Sequence, residues 1–94
     1  MDKAEARGIL EAELAPLRSA SYSDLVTRLL DHEESYERVG ASGTRYAVEI
    51  RAFWDGVPQG NLRVRAMIDD SGWRAFIPVV EDFIRAPDGS FVGE

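Results

Sequence analysis

The sequence predicts an α+β fold: two N-terminal helices packed on one face of a three- or four-stranded antiparallel β-meander, closed by a short C-terminal helix or hairpin. Two adjoining segments alternate apolar and polar residues with a period of two, the mark of half-buried strands. A stretch dense in turn formers separates them. Ahead of both lies a segment whose apolar residues recur at helical spacing.

The first helix is expected over Asp2 to Leu17. Alanine and glutamate dominate it, Asp2 can cap its start, and Ala6, Ile9, Leu10, Leu14 and Leu17 form one stripe. Gly8 weakens this helix, and Pro16 is expected to kink or end it near Ala15. A second, short helix follows a tight corner at Arg18–Ala20. Its cap is Ser21 paired with Asp24, or alternatively Ser23, and its apolar face is Tyr22, Leu25, Val26, Leu29 and Leu30. It should end near Asp31 or His32.

Glu33 to Val39 reads as a polar first strand suited to a sheet edge, followed by a Gly40–Gly43 turn. Arg45 to Trp54 is the clearest strand. Tyr46, Val48, Ile50, Ala52 and Trp54 share one face, and Arg45, Glu49 and Arg51 share the other. Leu62, Val64, Ala66 and Ile68 repeat the pattern, with Arg63, Arg65 and Asp69 opposite. The connecting Asp55–Asn61 segment makes the two an antiparallel pair, whose register is set because a one-residue slip would expose every apolar side chain. After a turn at Asp70–Gly72, Trp73 to Ile77 is a candidate fourth strand. Val79 to Ile84 has apolar residues at i, i+1, i+4 and i+5, which favours a short helix after Pro78, while its β-branched content suits a strand. Pro87–Ser90 is a turn that lets Phe91 and Val92 fold back.

Ninety-four residues make one domain, residues 1–94. The net charge of −6 argues against nonspecific affinity for nucleic acid or membranes. The charge is uneven: residues 34–74 balance six acids with six bases, whereas residues 1–33 carry seven acids and four bases. The sheet segment is thus neutral and arginine-rich between acidic flanks. There is no cysteine, hence no disulfide framework, thiolate nucleophile or Cys-ligated zinc. No apolar run reaches the roughly 18–20 residues of a membrane span. The charged start, with Asp2, Lys3, Glu5 and Arg7, does not read as a signal peptide, so the expected location is cytoplasmic.

The candidate binding residues are Arg45, Glu49, Arg51, Arg63 and Arg65 on the polar side of the hairpin, with Phe53 and Met67 beside them. Arginine forks on a flat sheet can grip a carboxylate, a phosphate or an acidic segment. They can equally pair across strands with Glu49 and Glu37. Trp54 and Trp73 join the set because indoles favour partly wet boundaries and binding hot spots, although Trp54, Trp73, Phe76, Phe83 and Phe91 can also simply fill the core. His32, beside Glu33 and Glu34, is a candidate general base without a visible nucleophile, metal or orienting partner. It also suits plain stabilisation of a helix C-terminus. Asp55, Asp69, Asp70 and Asp88 sit in turns without calcium-loop spacing. The glycines stand singly, so no phosphate-cradling loop is present. No catalytic set, metal site or cofactor is expected. The expected function is a non-enzymatic interaction or self-association module whose partner is another protein or a second copy, using the arginine-bearing face or an exposed edge strand. The alternative is a small-ligand domain or minor enzyme with a pocket between helices and sheet, using His32. RNA binding by the sheet is a third reading, held down by the acidity.

Overall fold

The computed structural model describes residues 2–70 and 78–94. Helix α1 (Lys3–Ser19) and helix α2 (Tyr22–Leu29) precede strands β1 (Glu34–Val39), β2 (Arg45–Trp54), β3 (Leu62–Asp70) and β4 (Val79–Arg85). The strands form one antiparallel meander in the order β1-β2-β3-β4. The expected Trp73–Ile77 strand, with Trp73 and Phe76, lies outside the described residues.

The caps explain where the helices begin. The Asp2 carboxylate accepts from the Glu5 amide at 3.0 Å, and the Ser21 hydroxyl accepts from the Asp24 amide at 3.0 Å. Each satisfies an amide that the first helical turn leaves without a partner. Ser21 is therefore the second cap, in preference to Ser23. α1 does not stop at Pro16 but runs on to Ser19. Proline removes the bond to the carbonyl four residues back. That carbonyl belongs to Ala12, which is exposed like Pro16 itself, so water can take the missing donor's place.

The expected C-terminal helix is not formed: Val79–Arg85 is the fourth strand, paired with β3 from Ile68↔Val79 to Leu62↔Arg85. The reason lies in its buried side. Val79, Glu81, Phe83 and Arg85 alternate with Val80, Asp82 and Ile84, but two of the four positions facing the helices carry charge. Glu81 meets Arg7 of α1 at 3.1 Å. Arg85 is buried and donates to the carbonyls of Arg18, Ala20 and Gly89. Charge on a covered face hides a period of two. The Pro87–Ser90 turn does bring the chain back as expected, with Phe91 bridged to Arg85 and the Val92 amide donating to the Ile84 carbonyl at 2.9 Å.

The core lies between helices and sheet. Ala6, Leu10, Leu14 and Leu17 of α1 and Leu25 and Leu29 of α2 meet Tyr46, Val48, Ile50, Ala52, Leu62, Val64, Ala66, Ile68, Val79 and Phe83. Burying each large aliphatic side chain contributes about 1.5–3 kcal/mol. The Glu5 carboxylate fastens α1 to the β1–β2 turn, accepting from the Ser42 hydroxyl (2.7 Å), the Ser42 amide (3.1 Å) and the Tyr46 phenol (2.7 Å). Its Cδ stands 2.6 Å from where a Cβ on residue 40 would be, so a side chain there would push the Glu5 carboxylate off these hydrogen bonds.

Candidate functional site

Because all helical cover falls on one side, the outer face of the sheet is uncovered among the described residues. Register places three rows across it. Phe53, Arg63 and Ile84 form the first, Arg51, Arg65 and Asp82 the second, and Glu49, Met67 and Val80 the third. The structure thus brings Glu49, Arg51, Arg63 and Arg65 together, with Arg45 at the far end of β2.

Arg51 and Arg65 face each other directly across β2 and β3, a like-charge pairing that costs stability on a bare sheet. Carboxylates on both flanks offset it. Arg51 Nε is 2.8 Å from Glu33 and 3.5 Å from Glu49, and Arg65 Nη2 is 3.6 Å from Asp82. The Arg65 guanidinium also lies 5.2 Å from the Phe53 ring centre, within cation–π range. Arg63 is the best held: its Nε donates to Asp55 at 3.1 Å and its Nη1 to Asp82 at 2.9 Å. The Asp55 bond and then the Asp82 bond raise its pKa further above the ordinary arginine value. Arg45 meets Glu37 only at 3.9 Å, with both side chains well exposed. Between the ion pairs, Phe53 and Val80 are exposed and Met67 and Ile84 half-buried.

Trp54 does not join this face. It ends β2 on the helix side, half-buried against the core, and lines an apolar groove of about 410 Å³ with Tyr22, Val26, Leu30 and Gln59. Trp73 lies outside the described residues. Phe83 is buried, and Phe91 meets it edge-on at 5.8 Å, with the Arg18 guanidinium 5.0 Å from the Phe83 ring. His32 lines an open concavity of about 450 Å³ with Asp31, Glu33, Arg51 and Phe53. Its amide donates to the Leu29 carbonyl, so the backbone at this histidine closes the α2 C-terminus. Asp55 serves Arg63. Asp88 accepts from the Ser90 hydroxyl (2.6 Å) and amide (2.9 Å), and the hydroxyl first, then the amide, lower its pKa. Among the described residues, no group of three His, Asp or Glu side chains is placed to hold a metal ion, and no helix is long and apolar enough to cross a membrane.

Two contributors were not legible from sequence. Asp82, which joins Arg63 to Arg65, belongs to the segment read as a helix. Glu13 reaches from α1 to Arg38 of β1, 2.7 Å from its Nε, and only the packing of α1 beside β1 puts them together. Burial and then the Glu13 carboxylate push the neighbouring Tyr36 phenol up to about 12. Comparison of the chain with protein-family models, curated proteins and solved structures finds no match.

Proposed function

We propose that this chain is a non-enzymatic interaction module that binds a protein across the outer face of its sheet. The observation that carries the reading is the composition of that uncovered face: Phe53, Met67, Val80 and Ile84 set among arginines already held in place by carboxylates. Arginine, methionine and aromatic residues are enriched in protein interfaces. Arginines clamped before binding lose less side-chain freedom when a partner arrives. The same pairing argues against nucleic acid, because cations already neutralised by Glu33, Asp55 and Asp82 release few counterions from phosphate.

The test is affinity capture by the tagged chain, compared with Arg51→Glu/Arg63→Glu and, separately, Val80→Lys. Thermal unfolding of each variant confirms that it is folded. The expected result is at least about a tenfold loss of the captured protein with either variant, the equivalent of 1.4 kcal/mol. Undiminished capture by both folded variants removes the outer face from the interaction.

The His32 concavity supports a second reading, a small-ligand site. An exposed imidazole, two acids and the Arg51 guanidinium border one opening. Here His32→Ala is expected to abolish ligand-induced thermal stabilisation in a metabolite screen. Unchanged shifts would end this reading.

A further inference from the structure

We propose that β1 pairs with β1 of a second copy of this chain, joining two sheets into one about a two-fold axis at Tyr36. The two edges of the sheet differ. β4 is met at its C-terminal end by Phe91 and Val92, whereas β1 has no strand on its outer side among the described residues. The Gly40 amide donates to the Thr44 carbonyl at 2.9 Å, one rung beyond Val39↔Arg45. Bonded rungs alternate in an antiparallel ladder. Glu34, Tyr36 and Arg38 therefore direct their backbone groups to β2, and Ser35, Glu37 and Val39 turn theirs outward.

Charge selects the occupant and the register. With the axis at Tyr36, Ser35 and Glu37 of the two copies exchange backbone bonds, the two Tyr36 side chains stand opposite each other, and Glu34 of each copy faces Arg38 of the other. Moving the axis to Glu37 sets like charges opposite, Glu37 on Glu37. Moving it to Ser35 sets Glu33 on Glu37. Charge on an edge strand discourages indiscriminate pairing. On this one it alternates in sign, and each charge is braced from its own chain. Arg28 holds Glu34 with bonds of 2.8 and 3.0 Å, and Glu13 holds Arg38. The Arg38 guanidinium also stacks 4.3 Å from the Tyr36 ring centre.

Sedimentation tests the pairing. The wild-type chain is expected to reach twice its 10.5 kDa mass as concentration rises. Glu34→Arg alone and Arg38→Glu alone are expected to remain single chains, and an equimolar mixture of the two to pair, because every facing charge is then opposite. Ser35→Pro, which removes an outward amide without altering charge, should also weaken pairing, with circular dichroism confirming its fold. Since the chain has no cysteine, oxidised Tyr36→Cys should cross-link to itself and Glu37→Cys should not. Facing Cα atoms on an unbonded rung lie about 4.5 Å apart, within disulfide reach. A wild-type chain that stays single at every concentration, a pair indifferent to Arg38→Glu, or cross-linking at Glu37→Cys instead would overturn the proposal. None of these outcomes bears on the outer-face reading, which the Arg51/Arg63 and Val80 variants test separately.

Discussion

Arg85 is a buried cation with no carboxylate among its hydrogen-bond partners in the described residues, an arrangement that normally costs stability. Carbonyl dipoles take the carboxylate's place: those of Arg18 and Ala20 at the C-terminal end of α1, and that of Gly89 in the last turn. The Phe91 ring lies 4.6 Å from the guanidinium. One side chain thus ties α1, β4 and the final turn together. Arg85→Ala is expected to lower unfolding free energy by about 1–3 kcal/mol, since carbonyls lose their donor. Arg85→Lys should not restore it, because an ammonium lacks the fork that serves separate acceptors. Urea denaturation of both variants checks this. Glu5 and Tyr46 form the other fastening, and it depends on pH. The Ser42 hydroxyl, then the Tyr46 phenol, hold the Glu5 pKa below its ordinary 4.5. A carboxyl whose folded pKa is lowered contributes stability above its unfolded value, lost as pH falls through the folded one. The stability gap between wild type and Glu5→Gln should therefore close in acid. The Glu5 bond and then burial push Tyr46 up to about 12. A phenol raised in the fold contributes stability below its unfolded value of 10, lost as pH rises toward 12. Tyr46→Phe and Tyr36→Phe should each flatten that alkaline loss in pH-dependent unfolding. Neither fastening was legible in sequence, because Glu5 reads simply as a helix former and nothing near Arg85 marks it as buried.

At the scale of elements, legibility followed how purely each segment kept its period. β2 places no charge on its covered face and β3 only Asp70, at its last residue, so their register and sidedness could be read residue by residue. β4 places Glu81 and Arg85 there, and its four remaining apolar residues mimic a helical spacing. α1 was read correctly at its start and cut too short at its end, because the penalty of Pro16 depends on whether the orphaned carbonyl is wet. That penalty remains in the fold. Pro16→Ala is expected to stabilise the chain by up to about 3 kcal/mol, and Gly8→Ala by about 0.5–1 kcal/mol. A Cβ at residue 8 meets nothing within 4 Å. Phe83→Ala, by contrast, should cost about 3–5 kcal/mol, and more than an exposed helical residue ever could. Thermal midpoints report all three, at roughly 4–8 °C per kcal/mol for a domain of this size.

For the whole molecule, the sidedness of the sheet was the readable part of the candidate site. A period of two was enough to gather Glu49, Arg51, Arg63 and Arg65 on one face with Phe53 and Met67. The same rule assigns Trp54 to the covered side, where it is found, so its place among the binding residues rested on residue type alone. Part of the arginines' pairing was readable, that of Arg51 with Glu49 and of Arg45 with Glu37, but the tighter pairs were not, since Asp82 comes from β4 and Glu33 from the approach to β1. The helices on one side and the bare face on the other are each built from parts that sequence identifies, but only the register says which charges meet. The unequal edges carry a last consequence. A sheet that accepts a neighbour on both sides can lengthen into a fibre. In this one, the returning Phe91–Val92 segment occupies part of one side. If the open side joins to its own kind, that side is consumed, and growth is halted at two chains by the segment that returns along β4. Deleting residues 91–94 is expected to convert a self-limiting pair into a polymerising species, visible as rising light scattering over time.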